Sequence, residues 1–412
     1  MVTGEARQLW RVGFFGALAA CNVSAAHTTT AVHLDGGTNA DGGVGTPCPV
    51  AMLVASSDFV STNISVLSPS GALLSETILS SGSATPGLTA ALSGDVIFPL
   101  ARTPGEIVLI DQFPNAVLTW VDPSSAKVLR QMNVGTGFSA NPHDYLELSA
   151  AKAYVTRYES NTNAEQEADD GGGDVLIINP QNAAISGRIP FAADGAFLPR
   201  PNHMLHVGND VWVTLDRFDV GFMTAGDARL AGVSTSDDSI AWTIDLAGAA
   251  NCAGVAMAPS GRVVALSCSG VNGDPTPRSA VVLLDATARP PVEIKRFDVA
   301  TQLSLPLGFT LAFASETLLV GVTLGDQMAG RNDFAYTLDL GSGTAHVLVD
   351  AGAAVAFGDV RCAPGCGDLC FLADAHANAL RVWKANGSSL DAQTSVSVDP
   401  NIGLPPRSLG AF

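Results

Sequence analysis

Residues 145–179 read YLELSAAKAYVTRYESNTNAEQEADDGGGDVLIIN, and the order of elements in this stretch decides the fold. Two short runs rich in aromatic and β-branched residues, 145–149 and 153–158, flank the turn Ala150-Ala151-Lys152, the pattern of a β-hairpin. A polar loop follows, then a third apolar run, Val175-Leu176-Ile177-Ile178-Asn179, which stops on a polar turn former. This closing strand recurs along the chain as NISVLS (63–68), VLTWVD (117–122), VLIIN (175–179), AWTID (241–245), VVLLD (281–285), AYTLD (335–339) and LRVWK (380–384). Seven copies spaced at about 50 residues predict an all-β chain, a seven-bladed β-propeller of four-stranded antiparallel blades with this strand third in each.

The other strands fall into place around it. Hairpins of the first two strands, A and B, are read in HMLHV-GND-VWVTLD (203–216), GVAMA-PSGR-VVALSC (254–268) and TLAFA-SET-LLVGVTL (310–324), and KVLRQMNV (127–134) exemplifies the fourth, D. The strands are continuously apolar, as expected where both faces of a blade pack on neighbours. AMLVASS (51–57) reads as a strand B, which leaves the first repeat without its innermost strand, and the tail 406–412 resembles the starts of other A strands. The tail is expected to complete that blade, closing the ring and removing its exposed edges.

Composition agrees with this reading. The chain has 412 residues, 47% hydrophobic, 15% charged and 6% aromatic, too apolar for a disordered segment and long enough for a large core. Its 42 glycines and 23 prolines favour turns over long helices. With 21 Lys and Arg against 39 Asp and Glu the net charge is −18, which repels phosphate backbones, so nucleic acid is not an expected partner. The length alone permits two or three domains; the repeat reduces this to one propeller over residues 48–412.

The N-terminus carries an address. Arg7 and Arg11 precede a short apolar stretch, 12–20, and no run reaches the ~20 apolar residues of a membrane-spanning helix. Leu18-Ala19-Ala20-Cys21 resembles the bacterial lipobox, which implies a signal peptide over residues 1–20 and a diacylglycerol on the Cys21 thiol. Asn22 after that cysteine favours the outer membrane or cell surface as the destination. Residues 21–47, rich in Ala, Thr, Gly and Asp, read as a flexible tether that holds a monomeric domain to the membrane.

Reserving Cys21 for lipid leaves Cys48, Cys252, Cys268, Cys362, Cys366 and Cys370, enough for three disulfides in an oxidising compartment. Cys252 and Cys268 lie symmetrically about Ser260 in one A–B hairpin and are expected to pair. Cys48 is expected to tie to the Cys362–Cys366–Cys370 cluster, through Cys366 with Cys362 paired to Cys370, or through Cys370 with Cys362 paired to Cys366. A metal or iron–sulfur site on this cluster would need the tighter C-x2-C spacing.

The run Lys152-Ala153-Tyr154-Val155-Thr156-Arg157, followed by Asp174-Val175-Leu176-Ile177-Ile178-Asn179-Pro180, resembles the bacterial YVTN-type seven-bladed propeller repeat. The resemblance spans roughly residues 48–412, though one repeat alone comes near the name motif and the turn spacing departs from the pattern. It implies the fold; proteins of this kind include binding proteins, lactonases and lyases, so it does not fix an activity.

In a four-stranded meander the A–B and C–D turns share one face of the ring, and the B–C and D–A connections share the other. The A–B turns are short, whereas connections read as B–C are long: 159–173, 217–239 and 269–279. Insertions on one face mark the expected binding side. It should be acidic, since these loops hold Glu159, Glu165, Glu167, Asp169, Asp170, Asp219, Asp237 and Asp238. Glu165, Glu167, Asp169 and Asp170, before a glycine run, form a candidate site for calcium or another divalent ion, although Asp170 stands where an EF-hand loop needs glycine. Asn141-Pro142-His143-Asp144 and Arg200-Pro201-Asn202-His203 place polar groups at the starts of innermost strands. His143, Asp144, Asn202 and His203, with Arg157 and Arg407, are the candidate ligand-binding cluster at the channel mouth. No G-x-S-x-G, H-E-x-x-H, phosphate-binding glycine loop or C-x-x-C-H occurs. The expected function is a non-catalytic, envelope-anchored binding or scaffold module for a protein, glycan or small ligand. The alternative is a lactonase-like hydrolase or lyase with a channel-mouth metal on His143, Asp144 and His203.

Overall fold

Alternation along Met52–Ser57 sends Met52 and Val54 into one apolar layer and Leu53 and Ala55 into another, and every residue of the strand is buried. A strand covered on both sides has no use for polar alternation, which is why the sequence is so evenly apolar. In the computed structural model, which describes residues 48–271 and 278–412, this double burial recurs around a ring of seven four-stranded antiparallel blades, a β-propeller. One hydrophobic layer lies between each pair of neighbouring blades. Between blades 2 and 3, for example, Val108, Leu118 and Trp120 pack on Tyr145, Val155 and Leu176. Each such buried side chain contributes roughly 1.5–3 kcal/mol.

The innermost strands are Pro406–Ala411, Val96–Ile97, Pro142–Ser149, Pro201–Val207, Gly254–Met257, Leu307–Ser315 and Phe357–Cys362, for blades 1 to 7. Their free edges face the channel, which tolerates a proline at the strand start in blades 1, 3 and 4. The only helix among the described residues is the short Val299–Leu303 between blades 5 and 6, and none is long and apolar enough to cross a membrane.

The C-terminal strand completes blade 1, pairing Met52 with Ala411 and Leu53 with Gly410. Gly410 is needed there, because a Cβ would sit 2.6 Å from the Phe98 ring of blade 2. The Phe412 carbonyl accepts hydrogen bonds from the Val50 and Ala51 amides. Disulfides join Cys48 to Cys366, Cys252 to Cys268 and Cys362 to Cys370, so of the two pairings open in the sequence the first is found. Residues 1–20, Cys21 and the tether 21–47 lie outside the described residues.

Six of the seven marker strands are third in their blades; AWTID is not. Ile240–Asp245 is the outer strand D of blade 4, and strand C is Arg229–Ser234. The apolar signal moved outward because the Trp242 indole lies directly over Gly232, leaving no room for a side chain on strand C. Consequently 217–239 is not one connection: the B–C loop spans 216–228, and Asp237 and Asp238 sit in the C–D turn on the opposite face. Asp238 there pairs with Lys152 and Tyr154 of blade 3.

Candidate functional site

The seven inner strands enclose a cavity of about 430 Å³. Its lining includes the starts of inner strands, the ends of strands B at Tyr158 and Asp216, and Phe218 and Phe222 of the blade 4 B–C loop. These elements all belong to the long-loop end of the channel. Low on the inner strands, Arg361 of blade 7 donates through Nε to the Leu409 carbonyl of blade 1 and through Nη1 to the Leu100 carbonyl of blade 2.

Asn141 and Arg200 adopt left-handed backbone, φ 48° and 52°, immediately before Pro142 and Pro201. The two turns deliver His143 and Asn202 side by side. His143 Nδ1 lies 2.9 Å from Asn202 Oδ1, and Asn141 Nδ2 lies 3.2 Å from Nε2. An amide nitrogen can only donate, so Nε2 accepts and Nδ1 carries the proton given to Asn202. The ring stacks on Tyr158 at 4.2 Å and 8°. Burial lowers the His143 pKa to about 4, leaving a neutral imidazole at pH 7. Asn202 Nδ2 in turn donates to Asp216 Oδ2 at 2.8 Å. Burial raises Asp216 to about 6, against hydrogen bonding from Asn202 and the Tyr158 hydroxyl and the charges of nearby His203 and Arg200, which favour its ionised form. Its second oxygen, Oδ1, makes no hydrogen bond of good geometry among the described residues, the Tyr158 hydroxyl being the donor nearby.

Beside this relay, Asp144 is a structural staple. Its carboxylate accepts the amides of Leu100 in blade 2, Tyr145, and Met204 in blade 4, at 2.8 to 2.9 Å. His203 Nδ1 lies 3.4 Å from Asp144 Oδ2 and has no hydrogen-bond partner among the described residues. Asp359 repeats the device between blades 7 and 1, accepting from Ser408 Oγ and the Leu409 amide.

The structure therefore brings His143, Asp144, Asn202 and His203 together and sets Arg157 and Arg407 apart. Arg157 is fully buried away from the cavity, holding Asp174 with two hydrogen bonds at 2.6 and 2.7 Å and donating to Thr136 and to the Val134 and Asp169 carbonyls. Arg407 donates to the Val355 carbonyl and lies over Phe59. Glu165, Glu167, Asp169 and Asp170 do not converge. Asp170 folds back to accept the amides of Glu165, Gln166 and Glu167, and Asp169 contributes its carbonyl to Arg157 and Thr136. Among the described residues no group of three or more His, Cys, Asp or Glu is placed to hold a metal ion, the channel mouth included.

Asp216, Tyr158, Phe222 and Arg361 escaped the sequence reading. Two of them had a signal: Val155-Thr156-Arg157-Tyr158 and Val213-Thr214-Leu215-Asp216 are equivalent strand ends, so adjacent blades present Tyr158 and Asp216 at the same position. Arg200 braces this wall from behind. It is paired with Glu159 at 2.5 Å, and its guanidinium lies 3.8 Å from the Phe222 centroid and 5.2 Å from that of Tyr158.

No family model and no curated protein matches the chain. Solved structures do resemble it. A proposed 6-phosphogluconolactonase from Bacteroides fragilis aligns with a TM-score of 0.55 at 12% identity, over 90% of this chain and 100% of that one. The β-propeller domain of Myceliophteria thermophila Cps50 gives 0.55 at 11% identity, over 83% and 97%. The periplasmic gluconolactonase of Pseudomonas aeruginosa gives 0.53 at 13% identity, over 87% and 98%. At such identities the likeness establishes the seven-bladed architecture and nothing about chemistry.

Proposed function

We propose that this propeller binds a small molecule in the channel cavity at its long-loop mouth, on a chain exported and held to the cell envelope through Cys21. The observation that carries the reading is a pair of buried polar atoms without a hydrogen-bond partner among the described residues, Asp216 Oδ1 and His203 Nδ1, on two residues of the cavity wall. A buried polar atom without a partner costs about 1–3 kcal/mol, and a ligand that supplies the partner recovers it. The Cys48–Cys366 disulfide adds an orientation. Cys366 lies in the A–B turn of blade 7, on the face opposite the mouth, so a tether ending at Cys48 directs the cavity away from the membrane. The test is a ligand screen by thermal shift on wild type, Asn202→Leu and Phe222→Ala. Ligands that raise the wild-type melting temperature should lose most of that effect in both variants; equal shifts in all three would reject the channel as the site.

A second reading, lactone hydrolysis, draws on the two gluconolactonase-named fold neighbours and on Asp216. As a carboxylate it would take a proton from a water whose oxygen attacks the ring carbonyl; the ring C–O bond then breaks and the leaving alkoxide takes up that proton. This route uses no metal on His143, Asp144 and His203. It requires turnover of gluconolactone that rises through about pH 6 and disappears in Asp216→Asn; a rate equal to the uncatalysed one dismisses it.

A further inference from the structure

We propose that the ligand of the channel cavity is an organic monocation, an alkyl- or arylammonium whose N–H donates to Asp216 Oδ1 while its hydrocarbon part fills the aromatic-walled space beyond. The inference rests on the reading of the channel as a ligand site and adds the sign of the ligand's charge.

Three observations set that sign. Asp216 is 1% exposed, and among the described residues no cation forms an ion pair with it. Arg200 is taken by Glu159 and by the Asp219 carbonyl, His143 is neutral, and His203 lies against Asp144. A hydroxyl would satisfy Oδ1 as a hydrogen bond yet leave a buried charge uncompensated, whereas an ammonium does both. Among the described residues the cavity lining carries two carboxylates, Asp216 and Asp359, against one guanidinium, Arg361. Its field, inside a protein of net charge −18, draws cations in. The remaining wall carries Phe98, Phe218, Phe222 and Phe309 among polar Gln112, Asn251, Thr310 and Ser408, and Phe309 is 40% exposed. Aromatic faces beside a carboxylate favour an organic cation over a hydrated inorganic one. The Tyr158 ring is already engaged, stacked with His143 and lying against Arg200 and Phe222, and its hydroxyl is directed to Asp216.

The experiment is isothermal titration calorimetry of the full chain with three probes of one carbon skeleton: 3-phenylpropylammonium, 3-phenylpropan-1-ol and 3-phenylpropionate. Wild type should bind the ammonium at least tenfold more tightly than the alcohol and should not bind the acid. In Asp216→Asn the preference for the ammonium should vanish, while Asp58→Asn, on a distant loop, keeps it. The wild-type comparison needs no variant and stands even if Asp216→Asn misfolds. If the alcohol or the acid binds as well as the ammonium, or ammonium binding survives Asp216→Asn, the charge assignment is wrong and the cavity reading stands. If none of the three binds, both are overturned.

Discussion

His143 and Asp216 are coupled through one amide: Asn202 accepts from the imidazole at 2.9 Å and donates to the carboxylate at 2.8 Å. Burial acts on both partners and moves them in opposite directions, the imidazole down to about 4 and the carboxyl up to about 6. Their contributions to stability therefore oppose each other in one pH window. A buried neutral His143 favours the fold above its ordinary pKa of 6.5, and that contribution is lost as pH falls toward 4. Asp216 binds its proton more tightly folded than unfolded, so its penalty is absent below about pH 4 and complete above about pH 6. Asp216→Asn should thus gain stability relative to wild type as pH rises from 4 to 6, by about 3 kcal/mol at most. His143→Gln should shift the other way, losing its disadvantage as the pH is lowered over the same range. Urea unfolding at pH 4, 5, 6 and 7 checks both; difference curves that stay flat with pH would refute the assignment.

Asp144 ties three consecutive blades through the Leu100, Tyr145 and Met204 amides. Asp144→Ala strands these buried donors and should cost about 3–5 kcal/mol, mostly by loosening blades 2 and 4 from blade 3. Asp144→Asn keeps one acceptor and turns an NH2 toward a donor, so it should cost about half as much. An Asp144→Ala variant with a wild-type denaturation midpoint would show that the staple carries no net stability.

Gly232 is occupied in effect by its neighbour, because the Trp242 indole lies where a Cβ would go and its Nε1 donates to Asp210 at 2.9 Å. Gly232→Ala should expel the indole, red-shift its fluorescence and cost about 1–3 kcal/mol. An unshifted spectrum with unchanged stability would mean that the strand can move aside.

The same contact explains where the sequence misled. The ring, its closure and most strands were legible because burial on both faces forces continuous apolar runs, and a period of about 50 residues exposes them. Blade 4 broke the pattern since its bulkiest residue sits on strand D over a glycine, and a one-dimensional scan follows bulk. Half of the cavity wall was legible for a related reason. His143 and Asn202 stand out as polar residues opening inner strands, while Asp216 and Tyr158 hide at the ends of apolar runs where a turn residue is commonplace. Arg157 looked equally available, and only coordinates show it already saturated by Asp174, Thr136 and two carbonyls.

Ring closure rests on two fastenings at the same seam. Pro406–Ala411 pairs with Met52–Ser57, and Cys48–Cys366 closes a loop with a sequence separation of 318 residues. Cross-links across long loops remove the most entropy from the unfolded chain, here about 6 kcal/mol in the chain-entropy model, with measured values often smaller. The double variant Cys48→Ser/Cys366→Ser should therefore remain folded but lose about 3–5 kcal/mol. Deleting residues 405–412 is more severe, because it uncovers the paired edge of Met52–Ser57 and leaves Leu53, Val54 and Phe98 without Leu409 and Gly410 against them. The truncated chain should aggregate or fall to protease in the blade 1 region. Limited proteolysis and light scattering distinguish the two variants, and a monomeric truncation with wild-type melting would refute the account of closure.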